Sequence, residues 1–88
     1  MKALEGIETP ALLLDRARLT RNVQRMEERA RSLGVKLRPH LKTCKSVAVA
    51  KRQLEGAVGA TVSTLREAEV FFREGGIRDI LYAVGIAP

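Results

Sequence analysis

The sequence contains one cysteine, Cys44, no tryptophan and only three aromatic residues, Phe71, Phe72 and Tyr82. A single cysteine excludes an intrachain disulfide framework and a metal centre built from cysteines. By residue type Cys44 is expected to be a small buried side chain. Three scattered aromatics exclude a base-stacking platform for nucleic acid. There is no apolar run near the roughly 20 residues that a membrane span needs. The opening MKALEGIETP lacks the apolar core of a signal peptide. These absences set the first expectations: a cytoplasmic protein with no nucleic-acid partner and no membrane partner.

Charge and apolar content are not scarce. The chain has 88 residues, 45% hydrophobic and 30% charged, with a net charge of +6. That is an ordinary globular composition. Much of the positive excess, Arg16, Arg18, Arg21, Arg25, Arg29 and Arg31, lies along one stretch and is interleaved with Glu27 and Glu28. This pattern marks a solvated helix face.

Periodicity divides the chain into alternating elements. Residues 11–14 form a short apolar run that reads as a strand. Asp15 then stands where a helix N-cap belongs. Leu19, Val23, Met26, Ala30 and Leu33 recur at helical spacing, and Gly34 follows as a stop, so a helix is expected over 16–33. Residues 35–40 read as a strand. A loop of small and polar residues, Lys42 to Ser46, leads into a second helix with Val47, Ala50, Lys51 and Leu54 on one side and Gly56 as its stop. Residues 58–62 read as a strand. Thr64 and Glu67 form a capping box for a third helix that runs to about Glu74. Gly75 and Gly76 end it, and the run DILYAV at 79–84 is the last strand.

Strands centred near residues 37, 60 and 81 lie about 22 residues apart, with one helix in each gap. That is the rhythm of a parallel α/β sheet. A complete eightfold barrel takes about 250 residues. A chain of this length and rhythm is a small self-contained sandwich, a domain that assembles with copies of itself, or a fragment, and the expected fold is the first strand–helix units of an α/β barrel, incomplete in this chain. DILYAV is nearly continuous apolar, as in a strand buried on both faces. Its bare edge also leaves open a self-assembling domain that completes its sheet with a second copy.

The chemistry is expected at the end of the strand near residue 37. Side chains alternate along a strand, so Val35, Leu37, Pro39 and Leu41 face the helices. Lys36, Arg38, His40 and Lys42 face the barrel interior or water. Pro39 cannot donate to a ladder, so regular pairing should end near it. Barrel active sites lie at the C-terminal ends of strands, where His40 and Lys42 fall. A desolvated lysine among like charges is more readily neutral, and a neutral amine attacks carbonyls. An anionic, phosphate-bearing aldehyde such as pyridoxal phosphate suits both the amine and its basic surroundings. Charge alone favours the plainer reading, a solvated basic edge.

The segment Leu37-Arg38-Pro39-His40-Leu41-Lys42-Thr43-Cys44-Lys45-Ser46 resembles the cofactor-lysine motif of the D-threonine aldolase and D-serine dehydratase family. Thr9 to Asp15 resembles that family's opening strand. Asn22, Gln53-Leu54, Gly56-Ala57, and Leu65 with Glu67-Ala68-Glu69 add to the likeness. The resemblance implies a fold-type III pyridoxal phosphate enzyme with an alanine racemase-like (β/α)8 barrel. Residues 1–88 would be its N-terminal part, with the rest of the barrel and a C-terminal β domain outside this chain. It implies Lys42 as the catalytic, Schiff-base lysine, His40 beside the cofactor, and no such role for Lys45. Cys44 departs from the family, whose members often have histidine there.

By the same resemblance the activity is that of a lyase on D-amino acids, either retro-aldol cleavage or elimination of a β-hydroxyl. A divalent metal with ligands outside this chain, a homodimer, and an inactive isolated 88-residue piece are also implied. The other readings kept open are a non-catalytic cofactor-binding protein, a racemase of the same fold, and a small basic interaction module without cofactor.

Overall fold

The computed structural model describes residues 4–86. Its elements in chain order are α1 (Arg16–Ser32), α2 (Val47–Gln53), β1 (Ala60–Val62), α3 (Leu65–Arg73) and β2 (Ile80–Tyr82). The described helices are all too short or too polar to cross a membrane.

Each helix begins at a side chain that accepts an otherwise unpaired amide. The Asp15 carboxylate accepts from the Arg18 N–H at 3.1 Å, and the Thr64 hydroxyl accepts from the Glu67 N–H at 3.0 Å. Both caps follow the sequence pattern. Ser46 caps α2 in the same way, accepting from the Val49 N–H at 3.3 Å. At the end of α1, Gly34 takes φ +68°. Gly34 N–H then donates to Arg31 O and Val35 N–H to Ala30 O. This is the left-handed stop expected of a glycine after Leu33. Gly56 behaves differently. α2 ends at Gln53, three residues earlier, and Gly56 lies in the following turn. Its missing Cβ leaves room for the Glu27 side chain of α1, which would otherwise stand within 2.6 Å.

The sheet is parallel. β1 pairs with β2 in the register Ala60–Ile80, Thr61–Leu81 and Val62–Tyr82. The expected strand over 35–40 is reduced to one bridge, His40 to Thr61. Hydrogen bonds extend that pairing: Val58 N–H to Leu37 O, Thr61 N–H to Pro39 O, and Leu41 N–H to Thr61 O. Two residues on one side thus oppose three on the other. Pro39 contributes no donor, which explains why the ladder here is broken rather than regular.

Residues 11–14 correct the sequence reading. They form no strand. Leu12 is fully exposed, and Leu13 and Leu14 are more than half exposed. A strand exists only where a second backbone completes its hydrogen bonds, and no described segment pairs with this one.

The core lies on one face of the sheet. Leu41, Ala50, Ala60, Val62 and Phe71 are buried, and Val47, Leu54, Ala68, Ile77, Ile80 and Tyr82 pack against them. Leu41, Ala60, Val62, Ile80 and Tyr82 face the helices, as expected for Leu41, but the last strand is covered on this face alone rather than on both, and Val35 stays exposed. Thr61 and Leu81 face the other way, and Leu81 stays 52% exposed. α1 is held more loosely. Its stripe buries only Ala30 fully, while Met26 and Leu33 remain 57% and 58% exposed. Its six arginines are solvated, as their spacing predicts.

Candidate functional site

The ladder ends at Leu41, and the turn that follows delivers Lys42 to the C-terminal edge of the sheet. Leu41 is completely buried. Lys45 N–H closes the turn onto Leu41 O at 3.2 Å. Lys45 itself takes φ +44° and is the one non-glycine residue with positive φ among the described residues. Cys44 is half-buried against the core. Its Sγ lies 3.5 Å from Leu41 O and 3.9 Å from Ser46 O. It packs rather than projecting into the cleft.

Lys42 opens on a cleft of about 660 Å³, lined also by Thr43, Lys45, Ser63, Thr64, Arg66 and Glu67, with Val70 and Phe71 as an apolar wall. The volume falls in the range of small-molecule sites, roughly 300–1,000 Å³. Three cations share the cleft with one carboxylate, and that carboxylate is already engaged. Glu67 Oε1 accepts from the Ser63 N–H at 3.0 Å, the Ser63 hydroxyl at 3.1 Å and the Thr64 hydroxyl at 3.1 Å. Burial raises the Glu67 carboxyl, but these hydrogen bonds together hold it below the ordinary range. Arg66 reaches Glu69 at 3.6 Å across an exposed helix face. Among the described residues no carboxylate lies within ion-pair distance of Lys42 or Lys45.

The other basic residues of the strand separate. Arg38 turns to the opposite end of the sheet, where its Nη1 donates to Asp79 Oδ1 at 2.7 Å. That hydrogen bond holds Asp79 below the usual carboxylate range and raises the Arg38 guanidinium. Lys36 is exposed. His40 sits beside Thr61 in the sheet, and its Nδ1 accepts from the Lys42 N–H at 3.2 Å. It does not line the cleft.

Of the two residues singled out in the sequence, Lys42 lines the cleft and His40 does not. The sequence pattern marks Thr64 and Glu67 only as the start of a helix, and it passes over Ser63 and Arg66. The signal was available: Ser63 and Thr64 follow a strand directly, as Lys42 does, and strand ends on one edge converge.

Residues 14–88 match the family model described as alanine racemase, N-terminal domain. The chain belongs to the alanine racemase N-terminal domain family. Within it, the chain is 55% identical over 83 residues to D-threo-3-hydroxyaspartate dehydratase of Delftia sp. (strain HT23), which covers 93% of this chain and 22% of that protein. The solved structure of the Delftia enzyme superposes with a TM-score of 0.87 at 54% identity. D-serine dehydratase of Dictyostelium discoideum is 41% identical over 97% of this chain and 22% of its own length. The crystal structure of D-threonine aldolase from Filomicrobium marinum superposes with a TM-score of 0.81 at 43% identity, over 90% of this chain and 22% of that one. The chain therefore spans about a fifth of the length of these relatives. In alanine racemase N-terminal domain terms, its parallel strands and helices are units of that family's barrel, as the strand–helix rhythm predicts.

Proposed function

We propose that this chain supplies the lysine-bearing units of a pyridoxal phosphate-dependent lyase. The substrate class is a D-amino acid with a hydroxyl on carbon 3, and Lys42 is the residue that bonds the cofactor. One observation carries the proposal. The exposed Lys42 residue stands at the C-terminal end of a parallel strand and opens on a cleft with excess positive charge, and among the described residues no carboxylate lies within ion-pair distance of it. The related dehydratases and aldolase are named for D-threo-3-hydroxyaspartate, D-serine and D-threonine, all hydroxylated at carbon 3.

The residues present suit a planar aldehyde bearing a phosphate. Lys42 offers the amine, Lys45 and Arg66 offer positive potential, Thr43 offers a free-standing hydroxyl, and Val70 with Phe71 offers an apolar wall. When bound, pyridoxal phosphate supplies an electron sink for the bond broken at the substrate α-carbon. Lys42 Nζ would anchor the group, and as a free amine it would be the base that holds a proton on the cleft side. Glu67 keeps the Ser63 and Thr64 hydroxyls turned toward itself, which shapes the lip of the cleft. Among the described residues no group of three metal-ligating side chains occurs, so the divalent metal expected from the resemblance has no ligand set here. A cytoplasmic location and a homodimer belong to the same proposal.

The test is reduction with borohydride in the presence of pyridoxal phosphate, followed by peptide mass analysis. The label is expected on Lys42 and absent in Lys42→Ala. A label on Lys45 in the unsubstituted protein would overturn the assignment. In an enzyme of the full length of these relatives that carries these units, cleavage and elimination are separated by product: an aldehyde marks the first, ammonia the second.

A further inference from the structure

We infer that His40 is a positioning residue that acts on Lys42 through the backbone, not through its outer ring nitrogen. This rests on the reading of Lys42 given above and deepens it. The strand that carries Lys42 pairs with β1 only as far as Leu41, whose N–H donates to Thr61 O at 2.9 Å. The next amide, that of Lys42, meets no strand among the described residues. His40 Nδ1 takes its place, accepting from the Lys42 N–H at 3.2 Å. The two residues are separated by Leu41, which is wholly buried. Lys42 is thus fixed on one side by a core anchor and on the other by an imidazole. This gives a physical reason for the spacing of a histidine two positions before the lysine. Because Nδ1 accepts, the proton of the neutral ring sits on Nε2.

Two substitutions separate this role from a direct contact with cofactor or substrate. Asparagine places an oxygen where Nδ1 lies and has nothing at the outer position. Glutamine reaches the outer position and leaves the Lys42 amide without its acceptor. In the purified protein, capture of pyridoxal phosphate on Lys42 is scored by borohydride trapping and peptide mass. His40→Asn is expected to trap within about twofold of the unsubstituted protein. His40→Gln is expected to fall roughly tenfold, the worth of about one hydrogen bond. Loss in the Asn variant with retention in the Gln variant overturns the inference, and so does full trapping in both.

A second readout needs neither cofactor nor substitution. Imidazole nitrogen shifts of His40 in the unsubstituted protein, read on the neutral ring, should show Nδ1 without a proton and Nε2 with one, and the opposite tautomer overturns the inference. If unsubstituted protein fails to trap at Lys42 while the tautomer is as stated, the cofactor reading fails and the positioning contact stands.

Discussion

Arg38 Nη1 reaches Asp79 Oδ1 at 2.7 Å by passing over the backbone of Gly59. The same nitrogen lies 3.4 Å from the carbonyl oxygens of Ala60 and Asp79. One guanidinium thus ties together the starts of β1 and β2 and the strand segment that ends in Lys42. Of the four basic residues alternating along that segment, Arg38 is the one paired with a carboxylate, while Lys36 below it stays exposed. The uppermost, Lys42, is left for the cleft.

Gly59 is required by this crossing. A Cβ there would stand 2.6 Å from Arg38 Nη1 and closer still to the Asp79 carbonyl oxygen. The carbonyl belongs to backbone and cannot swing aside. Gly59→Ala is expected to destabilise the protein by about 1–3 kcal/mol, the usual cost of forcing atoms into a filled site. Urea unfolding would measure it, and a midpoint equal to that of the parent protein would contradict the packing described.

The two engaged carboxylates set the acid limb of the stability profile. Asp79 is lowered first by its hydrogen bond from Arg38. Glu67 is raised by burial but lowered overall by Ser63 and Thr64. A carboxyl whose folded value lies below its unfolded one stabilises the fold fully above the unfolded value, and the contribution disappears as pH falls through the folded value. Stability should therefore be level from neutral pH down to the ordinary carboxylate range, then fall. Asp79→Asn should be less stable at neutral pH and should show a shallower acid limb, converging on the parent protein once the pH has fallen below the folded-state value of Asp79. Thermal melts across that range decide it.

What the sequence made legible divides along physical lines. Helix starts and stops depend on neighbours within a few residues, so Asp15, Thr64 with Glu67, and Gly34 could be assigned from spacing alone. Sheet pairing depends on partners far away. The run at 11–14 has strand composition, but composition does not supply the second backbone, and the segment stays unpaired. Arg38 meets Asp79 across 41 positions, a pairing that no local pattern encodes. Gly56 has the look of a helix stop, yet it lies in the turn beyond the end of α2 and beside the Glu27 side chain, a neighbour that only the packing of α1 on that turn reveals. The position of Lys42 at a strand end is readable from the local pattern, but its proposed role comes from the resemblance, because charge alone favours a solvated basic edge.

Burial predicts a sharp contrast between two leucines. Leu41 is fully enclosed and touches the cluster of Ala50, Ala60, Val62 and Phe71. Leu41→Ala should cost about 2–5 kcal/mol, through lost burial and the cavity left behind. Leu12 is fully exposed, so Leu12→Ser should change stability by no more than about 0.5 kcal/mol. Denaturant midpoints of the two variants give the comparison. A large loss at Leu12 would mean that residues 11–14 are covered in solution by a surface this structure does not contain.

The cleft's charge predicts how cofactor affinity responds to Lys45. Its ammonium lines the cleft without a carboxylate partner among the described residues, while Arg66 is shared with Glu69 at 3.6 Å. Lys45 is solvent-exposed, so its attraction for a phosphate is weakened by water and by salt. An exposed pair of this kind contributes about 0.2–1 kcal/mol, which is at most about fivefold in affinity. Lys45→Ala should therefore weaken binding of pyridoxal phosphate by up to about fivefold at low salt, and the difference should shrink as salt is raised. The label must remain on Lys42, because the substitution removes potential and leaves the amine in place. Equilibrium titration at two salt concentrations, with peptide mapping of the reduced adduct, tests both parts. Loss of all labelling in Lys45→Ala would move the bonding role to Lys45. An effect independent of salt would mean that Lys45 acts by contact rather than by charge.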